Sequence, residues 1–238
     1  WNMTFENVFF IISLPRSGST LLQQMLSSHS RICSSGEPWF ILPMLNLRNE
    51  TLNTDATYDA KTAAIALNDY LSQHENGDQL FEDQVRHMAS QLYNAECART
   101  GKSYFLDKTS RNYLIIDELA NLFPQTKFIF LVREPLSIFF SYCETIIKRN
   151  YRALGSKSVK TDLLEGFRTM VNAQKSLGDR GELVRYEDLI LEPKSTQERL
   201  IGHLGLEFED QVLGYDDQAM KGKLFDPKSI RKHNKPES

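Results

Sequence analysis

The chain has 238 residues, 41% of them hydrophobic and 25% charged, which is ordinary for a globular protein and leaves room for one sizeable α/β domain with its own core. A net charge of −3 argues against a general nucleic-acid binder, and no apolar run approaches the roughly 18–20 residues of a membrane span. The three cysteines, Cys33, Cys97 and Cys143, form neither a disulfide framework nor a zinc spacing. A reducing, cytoplasmic compartment is therefore the default expectation, with one bridge left open.

In chain order, the apolar run at Asn7–Ser13 predicts a central parallel strand. Thr20–Ser27 predicts a helix, with Leu21, Leu22, Met25 and Leu26 at helical spacing. Arg31–Ser35 is a candidate second strand, broken by Gly36-Glu37-Pro38, and Trp39–Leu47 a candidate helix. Residues 49–99 are polar and mostly helical in pattern, with Val85, Met88, Leu92 and Tyr93 on one face and a break at Asn76-Gly77-Asp78. They predict a helical insertion over about 49–100 that caps the site. Then follow a strand at Tyr104–Asp107, a helix at Tyr113–Leu122 and a buried strand at Lys127–Val132. Helices at Leu136–Arg149 and Asp162–Ser176 come next, the latter with Leu163, Phe167, Met170 and Val171 in register. A strand at Leu183–Tyr186 and a helix at Thr196–Leu204, closed by Gly205, complete the pattern. Alternating strands and helices imply a P-loop-like central parallel sheet flanked by helices, in one domain over residues 1–238.

Leu14-Pro15-Arg16-Ser17-Gly18-Ser19-Thr20-Leu21 joins the first strand to its helix. Such a turn is an anion hole, because the first amides of a helix have no partners within it and its dipole is positive there. It departs from G-x-x-x-x-G-K-[ST]: the first Gly is missing, Arg16 precedes the small residues, and no Lys follows Gly18. Ligands of such sheets bind at the carboxyl ends of the strands. Glu37, Asp107-Lys108-Thr109 and Arg133 all follow strands as well. An ordinary capped turn at Arg16, an Arg133–Glu134 ion pair and a solvated Asp107–Lys108 pair are the competing readings. Histidines show no metal spacing, with His29 read as a loop or cap residue, and Phe139, Phe140 and Tyr142 are read as core.

Together these segments resemble the PAPS-dependent sulfotransferases, where PAPS is 3′-phosphoadenosine 5′-phosphosulfate. Leu14–Leu22 resembles the family's 5′-phosphosulfate loop. Phe128–Tyr142, with Arg133 and Ser141 eight residues apart, resembles its 3′-phosphate segment, and Val184–Leu189 its Tyr-Glu-Asp-Leu segment. Arg16 and Gly36-Glu37 are closer to the tyrosylprotein and bacterial branch than to the cytosolic small-molecule branch. The resemblance implies transfer of a sulfuryl group from PAPS to an acceptor hydroxyl, without a metal and with 3′-phosphoadenosine 5′-phosphate (PAP) as product. It implies that Arg16, Ser17, Gly18, Ser19, Thr20 and Leu21 hold the 5′-phosphosulfate, and that Arg133, Ser141 and Tyr186 hold the nucleotide end. Glu37 stands where the tyrosylprotein branch has its base. Lys108 is a candidate donor to the bridging oxygen, and Arg16 a candidate to neutralise the transferring group. The family's second 3′-phosphate arginine is missing, since Cys143, Glu144 and Thr145 occupy its stretch.

Residues 221–235 carry six Lys/Arg against one Asp. Arg231 and Lys232 within them resemble the family's basic 3′-phosphate loop. The chain opens at Trp1, a few residues before its first strand, so a piece of a longer protein is expected. A Golgi-type luminal domain is then the alternative compartment. Peptide tyrosine, a sugar and a small alcohol stay open as acceptors, and neither nucleic acid nor a membrane span is expected. The alternatives to catalysis by sulfuryl transfer are an ATP-using P-loop kinase and a degenerate, non-catalytic nucleotide-binding domain.

Overall fold

A computed structural model describes residues 7–51, 57–148 and 150–214. Strand β1 (Val8–Ser13) leads into α1 (Ser19–Ser27), β2 (Ile32–Cys33) and α2 (Ile41–Leu45). The insertion supplies α3 (Ala60–Ser72) and α4 (Gly77–Thr100). Then come β3 (Tyr104–Asp107), α5 (Ile116–Leu122), β4 (Lys127–Val132), α6 (Pro135–Thr145), α7 (Lys157–Lys160) and α8 (Gly166–Leu177). β5 (Gly181–Arg185), α9 (Tyr186–Leu191) and α10 (Pro193–His203) follow. All the pairings are parallel, and the strand order is β2-β3-β1-β4-β5.

β1 and the Phe128–Val132 part of β4 are apolar because both faces of the central strands are covered, whereas the edge strand β5 alternates with exposed positions. Val8, Phe10 and Ile12 of β1 point to a core built with Tyr93 of α4, Leu119 of α5 and Met170 of α8. Phe9 and Ile11 point to the other face, against Leu22 and Leu26 of α1 and Leu200 and Ile201 of α10. Phe10 stacks on Phe128 of the neighbouring strand, with centroids 5.5 Å apart, so the cross-strand pair and the burial reinforce one register.

Several boundaries differ from those the sequence predicts. The buried stripe of α4 is Val85, Ala89, Tyr93 and Cys97, at steps of four, while Met88 and Leu92 face outward. This stripe seats α4 on β3 and β2, where the Tyr93 ring stacks on Phe105 at 4.5 Å. α6 ends at Thr145, short of Arg149. The run Thr145-Ile146-Ile147 is β-branched, which lowers helix propensity, and Lys148 turns to φ 48°. Phe140 on this helix is exposed, unlike the buried Tyr142.

The helix expected from Asp162 begins with a π-helical turn, Thr161–Glu165, before α8, and Val171 faces outward. Tyr186 is not the last strand residue but the first of α9. Glu187 and Asp188 follow it in the first turn, where carboxylates favour a helix start.

Candidate active site

Each of the five strands delivers one of the candidate residues at its carboxyl edge. In sheet order these are Glu37 beyond β2, Lys108 after β3, Arg16 beyond β1, Arg133 after β4 and Tyr186 after β5. A parallel sheet puts all five loops on one edge, where the strand order reverses around β1.

The loop after β1 turns on two residues in the left-handed region. Arg16 has φ 72° and Gly18 φ 90°. A non-glycine residue at positive φ is uncommon and points to a local constraint. Here the Ser17 amide donates back to the Leu14 carbonyl at 3.2 Å, and Gly18 caps α1 with no side-chain bond. The amides of Ser19 and Thr20 therefore open the helix without acceptors inside it. The first turn of α1 carries no carboxylate, so nothing there opposes a bound anion. Ser17 Oγ is buried without a hydrogen-bond partner among the described residues. Thr20 and Leu21 are partly exposed on the first turn.

Arg16 points across the sheet edge. Its Nε donates to Ser141 Oγ of α6 at 3.0 Å, and its carbonyl accepts from Arg133 Nη1 at 3.3 Å. The Arg133 guanidinium lies over the Tyr186 ring, 4.4 Å from the centroid. The same ring packs under the loop, so closely that a Cβ on Gly18 would lie 2.3 Å from Tyr186 Cδ2. The two segments separated by more than a hundred residues thus form one surface. Glu134 does not pair with Arg133 here. It caps α6 by accepting from the Leu136 amide at 2.9 Å and from the Ser137 amide, which holds its carboxyl below the usual range.

On the other side of the loop, Lys108 Nζ donates to Glu37 Oε1 at 2.8 Å, with Lys108 4% and Glu37 16% exposed. The second carboxylate oxygen, Oε2, accepts from Trp39 Nε1 at 2.7 Å and Ser110 Oγ at 3.1 Å. Trp39 reaches it from a left-handed φ of 53°. The loop bearing Glu37 is anchored by Gln23 of α1, whose Nε2 donates to Ser34 Oγ and the Ser35 carbonyl.

Beneath Lys108, Asp107 is 2% exposed and accepts from Tyr93, Thr109 and Asn112. Burial pushes its carboxyl up to about 6, against the lowering effect of those three donors. Desolvation and the Asp107 charge together push the Tyr93 phenol well above its usual range.

Sequence reasoning missed Trp39, Ser110, Tyr93, Asp107 as a buried group, and Asp162. Asp162, in the π-helical turn, is 1% exposed. It accepts from Tyr113 Oη at 2.5 Å, Tyr142 Oη at 2.6 Å and Arg111 Nη2 at 2.7 Å. Tyr142 neighbours Ser141, so this cluster fixes the α6 turn that meets Arg16. Burial, then Asp162, pushes the Tyr142 phenol up to about 12. His29 is a loop residue as expected from the sequence: Nδ1 accepts from the Arg31 amide at 3.0 Å and Nε2 lies 2.9 Å from the Glu207 carbonyl. Arg231 and Lys232 lie outside the described residues.

The fold and this edge define an α/β protein of the sulfotransferase class, and comparison with known proteins agrees. The sulfotransferase family model matches residues 9–210, and the chain belongs to that family. It is 28% identical to nodulation protein NoeE of Sinorhizobium fredii over 83% of this chain and 50% of that protein. It is 25% identical to protein-tyrosine sulfotransferase A of Caenorhabditis elegans, over 87% and 52% respectively. The chain thus spans about half the length of these curated relatives. Among solved structures, the sulfotransferase domain from the curacin biosynthetic pathway superposes with a TM-score of 0.65 at 25% identity, covering 94% of this chain and 86% of that one. No helix among the described residues is long and apolar enough to cross a membrane.

Proposed function

We propose that this chain transfers a sulfuryl group from PAPS to an acceptor hydroxyl, releasing PAP. The observation that carries the reading is the bond from Arg16 Nε to Ser141 Oγ. It joins the segment suited to a 5′-phosphosulfate to the segment suited to a 3′-phosphate. The residues fit such a ligand. The buried, unpartnered Ser17 Oγ and the amides of Ser19 and Thr20 are donors at one end. The guanidinium of Arg133 over Tyr186 suits bidentate contact with a phosphate at the other.

PAPS supplies an activated sulfuryl group on a good leaving phosphate, and transfer of that kind is accelerated chiefly by positioning and charge stabilisation. Arg16 and the loop amides neutralise the oxygens that gain charge. Glu37 takes the acceptor proton at Oε1 or Oε2. Trp39 and Ser110 hold its carboxylate in place. Lys108 donates to the departing oxygen, which requires its ammonium to turn from Glu37 as the reaction proceeds. Residues 1–238 act as one sulfotransferase-like domain, with the insertion at about 49–100 shaping the acceptor side. The likeness to a protein-tyrosine sulfotransferase supports peptide tyrosine as the first acceptor to test, beside a sugar hydroxyl and a small alcohol.

The experiment is PAP release from PAPS against a panel of those acceptors, with thermal shift by PAP and by ATP–Mg²⁺ alongside. Acceptor-dependent PAP release and stabilisation by PAP are expected. Stabilisation by ATP–Mg²⁺ and not PAP overturns the reading in favour of a kinase. PAP binding without turnover on any acceptor, including substrates of the relatives, favours a non-catalytic domain.

A further inference from the structure

Cys33 ends β2 and Cys97 lies in the last turns of α4. Both are free thiols buried to 3% exposure, and their Sγ atoms lie 3.2 Å apart. A disulfide needs about 2.05 Å, so the sulfurs have only about 1 Å to travel. We propose that Cys33 and Cys97 form a reversible dithiol–disulfide site, oxidised by a small hydroperoxide, that staples the helical insertion to the strand leading into Glu37.

The surroundings equip one sulfur as the attacking group. The hydrogen bond shared with Cys97 brings the Cys33 thiol down, against burial, and Thr100 and the Lys102 ammonium act in the same direction. Glu96 opposes them. Lys102 is fixed close by, donating to the carbonyls of Ser27, His29 and Ile32. The Cys97 thiol is pushed up, first by its hydrogen bond to Cys33. With the Lys102 ammonium bonded to the Ile32 carbonyl next to it, Cys33 takes the attacking role and Cys97 the resolving one.

The chemistry balances with a hydroperoxide as oxidant. The Cys33 thiolate attacks one peroxide oxygen, the O–O bond breaks, and the departing oxide takes up from solvent the proton that Cys33 gave up on ionising; with hydrogen peroxide it leaves as water. Cys33 is then a sulfenic acid, with no charge to hold the Cys97 proton. Cys97 Sγ attacks Cys33 Sγ, the S–S bond forms, the S–O bond breaks, and hydroxide leaves with the Cys97 proton as a second water. Two thiols are oxidised by two electrons and one peroxide is reduced. A thiol reductant reverses the product.

The place of the bond gives it a consequence. Cys97 is one helical turn from Tyr93, which donates to Asp107 beside Lys108. Cys33 is four residues before Glu37. The bond would therefore tie α4 to the loop carrying the candidate base, closing a 64-residue separation in sequence.

The test uses the reduced full chain exposed to hydrogen peroxide, alkylated and mapped without reduction, a readout independent of sulfuryl transfer. A cross-linked peptide containing Cys33 and Cys97 is expected, reverting with dithiothreitol. It should come with a Tm higher by roughly 5–10 °C and slower amide exchange across α4. Cys143→Ser should keep the cross-link, and Cys97→Ser should leave a sulfenic acid at Cys33 that a cyclic dione traps. The proposal is overturned if both thiols alkylate freely after peroxide, if Cys33 proceeds to sulfinic acid while Cys97 stays reduced, or if the bridge forms to Cys143. The wild-type map decides even where a variant fails to fold.

Discussion

Lys108 Nζ lies 2.8 Å from Glu37 Oε1, an almost fully buried ammonium against a largely buried carboxylate at the ends of adjacent strands. A charge pair removed from water to this degree is strongly destabilising when broken from one side, because the remaining charge is left unpaired. The pair therefore ties the stability of the β2–β3 edge to its chemistry.

Substituting either member separates the two roles. Glu37→Gln keeps the shape and, through its carbonyl oxygen, the bonds to Trp39 and Ser110, but it cannot take a proton and leaves the Lys108 ammonium without a carboxylate. The expectation is a fall in kcat of about 10²–10⁴-fold with little change in PAP affinity. Lys108→Met leaves the carboxylate without its cation and is expected to lower stability by about 3 kcal/mol. The double variant should recover most of that stability and none of the turnover. Chemical denaturation and PAP release, run on all four proteins as a cycle, check this. Wild-type turnover in Glu37→Gln would put the base elsewhere.

Arg133 sits between the Arg16 carbonyl and the Tyr186 ring. Arg133→Ala is expected to weaken PAP binding about 10–100-fold, the range for losing a charge-assisted hydrogen bond. Arg133→Lys keeps the charge but loses the planar fork and most of the stacking, so it should recover only part of the affinity. Calorimetric titration with PAP reads both variants. Equal affinity in wild type and Arg133→Ala would remove Arg133 from the nucleotide end.

Gly18 is constrained twice, by φ 90° and by the Tyr186 ring 2.3 Å from where a Cβ would lie. Gly18→Ala alone is expected to cost about 1–3 kcal/mol in stability and to weaken PAP binding, since Tyr186 must shift from beneath Arg133. Adding Tyr186→Ala relieves the contact but not the dihedral, so it should restore part of the stability and none of the affinity. Thermal denaturation with and without PAP distinguishes the two contributions.

The parts of this site that were legible in the sequence are those set by local rules. The apolar runs at β1 and β4, the small-residue turn at Ser17–Thr20, and Arg133 directly after Val132 follow from strand length and turn chemistry. What was not legible depends on where side chains meet over long separations. Nothing local marks Trp39 as left-handed, or aims its indole at Glu37. Asp162 reads as an ordinary helix-start carboxylate, yet the π-helical turn directs it inward to Tyr113, Tyr142 and Arg111 from two other segments. Leu183 and Val184 predict a strand that runs on to Tyr186. The acidic pair after it starts a helix instead, and that swings the ring beneath Gly18.

Asp107 gives the structure a pH dependence of definite sign. Its carboxyl is pushed up to about 6 in the folded protein from an unfolded value of 3.8, mainly by burial, with the Glu37 charge adding to the rise. Between those two values the folded state binds more of this proton than the unfolded state. Its contribution to stability therefore grows as the pH falls from about 6 toward 4 and is lost as the pH rises through 6, with a slope of up to about 1.4 kcal/mol per pH unit. Above pH 6 the bonds from Tyr93, Thr109 and Asn112 stabilise the ionised carboxylate. Asp107→Asn removes the titration, so its stability curve should lie flatter than wild type between pH 4 and 6 by that slope. Tyr93→Phe removes one donor to the ionised form. It should destabilise the protein more at pH 8 than at pH 5. Urea denaturation at half-unit pH steps measures both, and parallel wild-type and Asp107→Asn curves across pH 4–6 would show that Asp107 does not titrate there.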